Sequence, residues 1–268
     1  MAEQKLSSGI TISYHDSGSG TPILFLHSFG HNKNLWSPQL TYFLERGCRV
    51  LAPDMPGHGD SSYDPARHGV DQMAQGYIEL LDSLGIGRTV LAGISMGGYI
   101  ALRMWARRPD LIAGMVLSNT KAEKDSDEIV ARRRAQIENI HRNGLQHFVT
   151  TGAPKRLSPV TLERRPWVLD TIKLLNYTVP AEVNAATLDA MARKEDDTMV
   201  LATIDVPVLV TSGSDDIFIP KDSPRNLHRG IKGSRFHEIA GTGHVSSLEA
   251  STEYSQVMED FLQAAGLM

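Results

Sequence analysis

Gly93-Ile94-Ser95-Met96-Gly97 is the stretch whose reading decides the fold. It follows the apolar run 89–93 and leads into residues 98–106, which have helical spacing. A serine on a sharp strand-to-helix turn is forced into a strained backbone conformation that exposes its hydroxyl. Glycines two residues before and two after it are required, because side chains there would collide as the strand folds back. The serine then sits at a helix N-terminus, whose free N–H groups and partial positive charge favour an oxyanion. The same five residues in a plain glycine-rich turn would carry no chemistry. The strand before and the helix after separate the two readings.

Short apolar runs at 23–26, 50–52, 90–92 and 115–117 read as buried strands, with helical patterns such as 73–84 between them. Near-continuous apolar strands alternating with helices predict an α/β fold, a parallel sheet covered on both faces. The alternation resumes at 206–210 and 236–240 and closes with a helix at 254–262. Between 121 and 199 the pattern is helical throughout. It comprises 127–141, broken at Asn143-Gly144, then 167–177, then 181–194 with Pro180 at its start. These patterns predict a core domain of residues 1–120 and 200–268 and a helical insertion of 121–199. The insertion would lie over the end of the sheet where ligands bind in such folds.

A serine hydroxyl is a poor nucleophile until a base takes its proton. In this architecture the order along the chain is serine, acid, histidine. His244 lies in Gly241-Thr-Gly-His-Val, a turn after the last predicted strand. His31 and His58 precede the serine, and His228 and His237 lack a comparable turn. His15, His68, His141 and His147 read as residues of polar loops or helix ends. For the acid, residues 208–211 lead into Gly213-Ser-Asp-Asp-Ile-Phe-Ile-Pro220. Asp216, three residues past the glycine, is placed to face His244, while Asp215 reads as a turn aspartate. Asn119, after the strand ending near Ser118, cannot supply the charge that stabilises an imidazolium. The oxyanion donors are assigned to the backbone N–H groups of Met96 and of Phe29, in the loop His27-Ser28-Phe29-Gly30.

Together these residues resemble the α/β-hydrolase superfamily, along nearly the whole chain. Asp54-Met-Pro-Gly-His-Gly-Asp-Ser61 looks like the loop after that family's next strand, and Trp36 like its aromatic packing residue. Gly243-His244, followed by Glu249, looks like its histidine turn. The Gly-Ile-Ser-Met-Gly-Gly elbow and the helical segment 125–144 are similar to those of small carboxylesterases and 3-oxoadipate enol-lactonase-like hydrolases. The resemblance implies an eight-stranded, mostly parallel sheet with a helical cap inserted after the sixth strand. Ser28 departs from the family's glycine and bears on the shape of the oxyanion hole.

The remaining composition narrows the chemistry. A net charge of −4 over 268 residues points to neither nucleic acid nor a membrane surface as partner. Cys48 is the single cysteine, residues 1–8 are polar, and no run approaches the ~20 apolar residues of a membrane span. A soluble cytoplasmic protein without metal or organic cofactor is the expectation; the oligomeric state is not legible. The leading reading is hydrolysis of a small acyl or aryl ester through an acyl-enzyme on Ser95. The alternatives are enol-lactone hydrolysis, cofactor-free perhydrolase or haloperoxidase chemistry, carbon–carbon bond hydrolysis, and a non-catalytic ligand receptor. A serine at 95 excludes dehalogenase and epoxide-hydrolase chemistry, which needs a carboxylate nucleophile. Trp167, Tyr177, Phe148 and Met191 are candidates to face the pocket from the insertion. The basic run 132–134 and Arg156, Arg164 and Arg165 read as solvated. An inward-facing arginine among the last three would instead suit a carboxylate-bearing substrate.

Overall fold

Five strands of this chain are apolar on both faces, and that places them in the middle of the sheet. The computed structural model describes residues 2–268. Its strands are β1 (Ala2–Lys5), β2 (Thr11–Ser17), β3 (Pro22–Leu26), β4 (Arg49–Pro53), β5 (Thr89–Ile94), β6 (Ile112–Ser118), β7 (Val208–Gly213) and β8 (Arg235–Ile239). They form one sheet in the order β1-β2-β4-β3-β5-β6-β7-β8. β1 and β2 pair antiparallel with each other, and β2 pairs antiparallel with β4; every other pairing is parallel. β1 and β2 carry no strand signal in the sequence. Their polar sequences, AEQK and TISYHDS, lack the continuous apolar run of a central strand, because they form the antiparallel edge.

Helices α1 (Ser37–Leu44), α2 (Val70–Ser83) and α3 (Met96–Arg107) lie between the first six strands. Five follow β6: α4 (Asp127–Gly152), α5 (Pro159–Arg164), α6 (Trp167–Tyr177), α7 (Ala181–Ala192) and α8 (Thr198–Leu201). Among the described residues no strand interrupts that block, and Gly144, at φ 79°, kinks α4 where the Asn143-Gly144 break is expected. α9 (Ser223–Gly230) separates β7 from β8, and α10 (Ser246–Glu249) and α11 (Ser251–Ala264) end the chain.

Alternate residues of the central strands feed two separate cores, as a pleat with side chains on opposite faces requires. Leu24, Leu51, Leu91 and Met115 pack with Tyr77 of α2 and Ile100 of α3 on one face. Phe25, Ala92, Val116 and Leu209 pack with Phe43 of α1 and Met258 of α11 on the other. Trp36 is fully buried there, its ring 5.2 Å from Phe25 and 6.0 Å from Tyr254. The register levels the strand ends that matter most: Ile94 pairs with Ser118, and Ser118 with Thr211. Residues 95, 119 and 214–216 therefore emerge side by side at the C-terminal ends of the strands β5, β6 and β7.

Of the histidines read as loop or helix-end residues, His15 departs, lying in β2; His141 and His147 flank the Gly144 kink of α4, and His68 caps the turn Pro65–Arg67. His68 is buried, its Nε2 2.7 Å from the Thr187 hydroxyl of α7. His27, His31 and His58 are buried as well. Burial pulls His27 and His68 down to about 4, His58 to about 3, and His31 well below the ordinary 6.5. The unfolded chain binds these protons near 6.5 and the folded chain does not. Stability is therefore full above that pH and is lost as pH falls toward 4, on the order of 1 kcal/mol per pH unit for each histidine. The urea midpoint is expected to drop steeply between pH 6.5 and 4. A midpoint that stays level across that window would contradict the neutral burial of these rings.

Candidate active site

Ser95 caps β5 with φ 54° and ψ −113°, a conformation few L-residues adopt. Two glycines permit it. A Cβ on Gly97 would stand 2.1 Å from the Leu26 carbonyl oxygen, and one on Gly93 would stand 2.4 Å from that of Gly97. The turn is tied down from outside: the Ser95 N–H donates to Ser118 O at 2.9 Å, and the Thr120 hydroxyl donates to Ser95 O at 2.7 Å.

Ser95 Oγ lies 3.0 Å from His244 Nε2, and His244 Nδ1 lies 2.9 Å from Asp216 Oδ2. An ionised carboxylate can only accept, so Nδ1 carries the proton and Nε2 is left to accept from the serine hydroxyl. The His244 N–H donates to the Arg156 carbonyl at 2.7 Å, which fixes the ring's backbone. Asp216 Oδ1 accepts the Phe218 N–H at 2.8 Å. Burial pushes the Asp216 carboxyl up, but the electrostatic pull of the His244 ring and the hydrogen bonds from His244, Asn119 and the Phe218 N–H outweigh it. The group is held below its usual value of 3.8. Asp215 is exposed, and its carboxylate takes the Ser214 hydroxyl at 3.1 Å. The three residues selected from the sequence are thus brought into one hydrogen-bonded line.

Asn119 has a part that sequence reasoning missed. At φ 46° it donates from Nδ2 to Asp216 Oδ2 at 2.9 Å and to the Gly243 carbonyl at 3.1 Å. Its Oδ1 accepts the Ser246 hydroxyl at 2.6 Å. The residue noted only for its lack of charge therefore spans the acid loop and the histidine turn. Its place after β6, level with Ser95, is the signal that would have found it.

Met96 opens α3, where its N–H has no intrahelical acceptor. Phe29 lies in the loop after β3 and faces the same cavity as Ser95 and His244. That loop explains Ser28. Arg156 Nη1 donates to the Phe29 carbonyl at 2.8 Å and lies 3.4 Å from His31 Nε2. Arginine has only protons to give, so His31 Nε2 is the acceptor and Nδ1 carries the hydrogen. Nδ1 in turn lies 2.6 Å from the Ser28 hydroxyl. The serine that replaces the family's glycine thus begins a chain Ser28–His31–Arg156 beside Phe29.

Two expectations about basic residues are corrected. Arg156 is not solvated: only 7% exposed, it ends the turn Pro154–Arg156 under the cavity, where its own carbonyl holds His244. Within the run 132–134, Arg132 and Arg134 are exposed, but Arg133 turns inward to pair with Asp125, which also binds Lys121 Nζ at 2.8 Å. Arg164 is exposed, as expected, and Arg165 partly so. Of the pocket candidates, Met191 lines the cavity, and Phe148 packs edge-on against Phe29 at 6.3 Å. Trp167 and Tyr177 are exposed and do not line it. The cavity is about 50 Å³, far below the ~300–1,000 Å³ of pockets for drug-sized ligands. An open groove of about 660 Å³ adjoins it, sharing Lys121, Ile129, Arg132, Phe218 and Ile219. Among the described residues no group of three or more His, Cys, Asp or Glu side chains is arranged to hold a metal, and no helix is long and apolar enough to cross a membrane.

A strained serine at a strand-to-helix turn, in line with a histidine and an acid at the C-terminal ends of such strands, defines a hydrolase class. The profile of the alpha/beta hydrolase fold matches residues 21–251, and the chain belongs to that family. Among its relatives, 3-oxoadipate enol-lactonase 2 of Acinetobacter baylyi is 28% identical, over 88% of this chain and 86% of its own length. A thermophilic esterase from Thermogutta terrifontis, solved with malate bound, is 29% identical with a TM-score of 0.92, covering 98% of both chains. The enol-lactonase of Burkholderia xenovorans is 27% identical with a TM-score of 0.89, over 98% of this chain and all of its own.

Removing the Asn119 amide strips one hydrogen bond from a buried carboxylate, a bond of about 1.5–3 kcal/mol. Asn119→Ala is expected to lower kcat about 10- to 100-fold on any substrate the chain turns over, with KM little changed. Steady-state kinetics check it; an unchanged kcat would show that Asp216 is held without Asn119.

Proposed function

We propose that this chain hydrolyses small carboxylic esters through an acyl-enzyme on Ser95. The observation that carries the proposal is the line Ser95 Oγ–His244 Nε2–Asp216, at 3.0 and 2.9 Å, opening on the wall of one narrow cavity. Ser95 attacks the ester carbonyl as His244 takes its proton, and the Asp216 carboxylate stabilises the imidazolium. The Met96 and Phe29 N–H groups receive the oxyanion. His244 returns the proton to the departing alkoxide, then activates a water that frees the acid and regenerates Ser95. No step requires a metal or an organic cofactor. Residues 121–199 act as a cap, since they contribute Lys121, Arg133, Arg156 and Met191 to the cavity walls. The small cavity favours short acyl groups. Likeness to an esterase and to enol-lactonases supports the reaction class.

Enol-lactone hydrolysis is the second reading, favoured by the basic side chains in the cavity wall. A lactone is an internal ester, so the same steps apply, with the leaving oxygen still attached to the product.

p-Nitrophenyl acetate and butyrate are expected to be hydrolysed by the wild type, and Ser95→Ala to lower kcat by at least about 10³-fold. Equal turnover by the variant, with nitrophenolate release followed by absorbance, would exclude Ser95 as the nucleophile.

A further inference from the structure

Among the described residues four cationic side chains are buried: Lys33, Lys121, Arg156 and Lys194. Three have a carboxylate beside them. Lys33 pairs with Asp54 and Asp60, Lys121 with Asp125, and Lys194 with Asp197. Arg156 has none within ion-pair distance among the described residues; its neighbours are the Phe29 carbonyl and the neutral ring of His31. A buried charge without a counter-ion costs several kcal/mol, and natural chains rarely keep one without a use. Burial lowers the Arg156 guanidinium only to about 10, so it stays charged at neutral pH.

The cavity that Arg156 lines is basic as a whole. Lys121, Arg132, Arg133 and Arg156 face it with Asp125 as their single acidic counterpart in the wall, and Asp125 is already shared by Lys121 and Arg133. Ser95 and His244 lie in the same wall. We propose that the substrate carries a carboxylate next to its scissile ester or lactone, and that Arg156 is the residue that receives it. The substrate class is then half-esters of short dicarboxylic acids and lactones of carboxylated hydroxy or enol acids, and the product is a dicarboxylate. This inference rests on Ser95 hydrolysing an ester in that cavity. A guanidinium suits the task because its planar donors can grip a carboxylate in two places while one remains on Phe29 O.

The test compares 4-nitrophenyl hydrogen glutarate with 4-nitrophenyl valerate, whose acyl chains are matched in length and differ in the terminal charge. The wild type is expected to show a KM at least tenfold lower for the glutarate ester. Arg156→Met should reduce that ratio to under threefold, and Arg156→Lys should restore part of it. Arg156→Met loses the donor to Phe29 O and Arg156→Lys alters it, so both turn over both esters more slowly and the ratio is the readout. Titration calorimetry of glutarate against valerate, on wild type and Arg156→Met, reads the same site without turnover. Glutarate should bind the wild type at least tenfold more tightly than valerate and lose that advantage in the variant. Equal KM values and equal affinities in the wild type, or a preference that survives in both variants, would overturn the assignment. If the valerate ester is cleaved in a Ser95-dependent way while the preference is absent, only the carboxylate site falls. If neither ester is cleaved but glutarate still binds through Arg156, the hydrolytic reading falls and the anion site stands.

Discussion

The backbone of Ser95 is the constraint on which the rest depends. A non-glycine residue at φ 54° and ψ −113° carries strain of about 1–3 kcal/mol, which surrounding structure must hold in place. Here the holding is done by the sheet itself. β5 is central, its residues buried along their full length, and its end is pinned to the end of β6 through Ser95 N and Ser118 O. Gly97 lets α3 approach the Leu26 carbonyl of β3 more closely than any side chain would allow. The placement of the Ser95 hydroxyl therefore comes from the packing of three neighbouring strands and one helix. It needs no mobile loop.

The other members of the hydrogen-bonded line are held by segments far apart in sequence. Asp216 follows β7, His244 follows β8, and Asn119, after β6, bonds to both turns. Glu249 braces the histidine turn from behind, accepting the Gly243 N–H and the Ser158 N–H at 2.8 Å each. The latter bond crosses to the block of helices after β6, as does the bond from His244 N to Arg156 O. The histidine's orientation is thus set jointly by core and insertion. A shift of the Arg156–Ser158 segment would be felt at His244 without any contact to Ser95.

Legibility in the sequence followed physical locality. The central strands were readable because burial on both faces leaves a continuous apolar run, and the elbow because its glycines are demanded by contacts within five residues. The serine, acid and histidine were readable as candidates because strand-end turns and chain order restrict where each can lie. β1 and β2 were not readable, since an antiparallel edge tolerates polar residues. The roles of Asn119 and Arg156 were hidden for a different reason. Neither has a local signature: Asn119 acts on residues about a hundred positions away, and Arg156 sits in a short basic turn that looks solvated until the chain closes over it. Trp167 and Tyr177 show the converse error, large side chains in an amphipathic helix that the fold leaves outside.

Arg156 links two properties that are usually separate in a hydrolase site. Its carbonyl fixes His244, and its guanidinium fixes the Phe29 carbonyl, between Ser28 and Gly30. The guanidinium, which can only donate, keeps His31 Nε2 as an acceptor, and the Ser28 hydroxyl takes the Nδ1 proton, so the ring stays neutral and adds no competing positive charge. A glycine at 28 would remove the hydroxyl and leave the His31 proton without its partner in a buried place, at a cost of about 1–3 kcal/mol. The departure from the family's usual glycine is therefore tied to the arginine. Ser28, His31 and Arg156 form one unit, which shapes the loop that offers the Phe29 N–H and presents a positive charge to whatever enters beside Ser95.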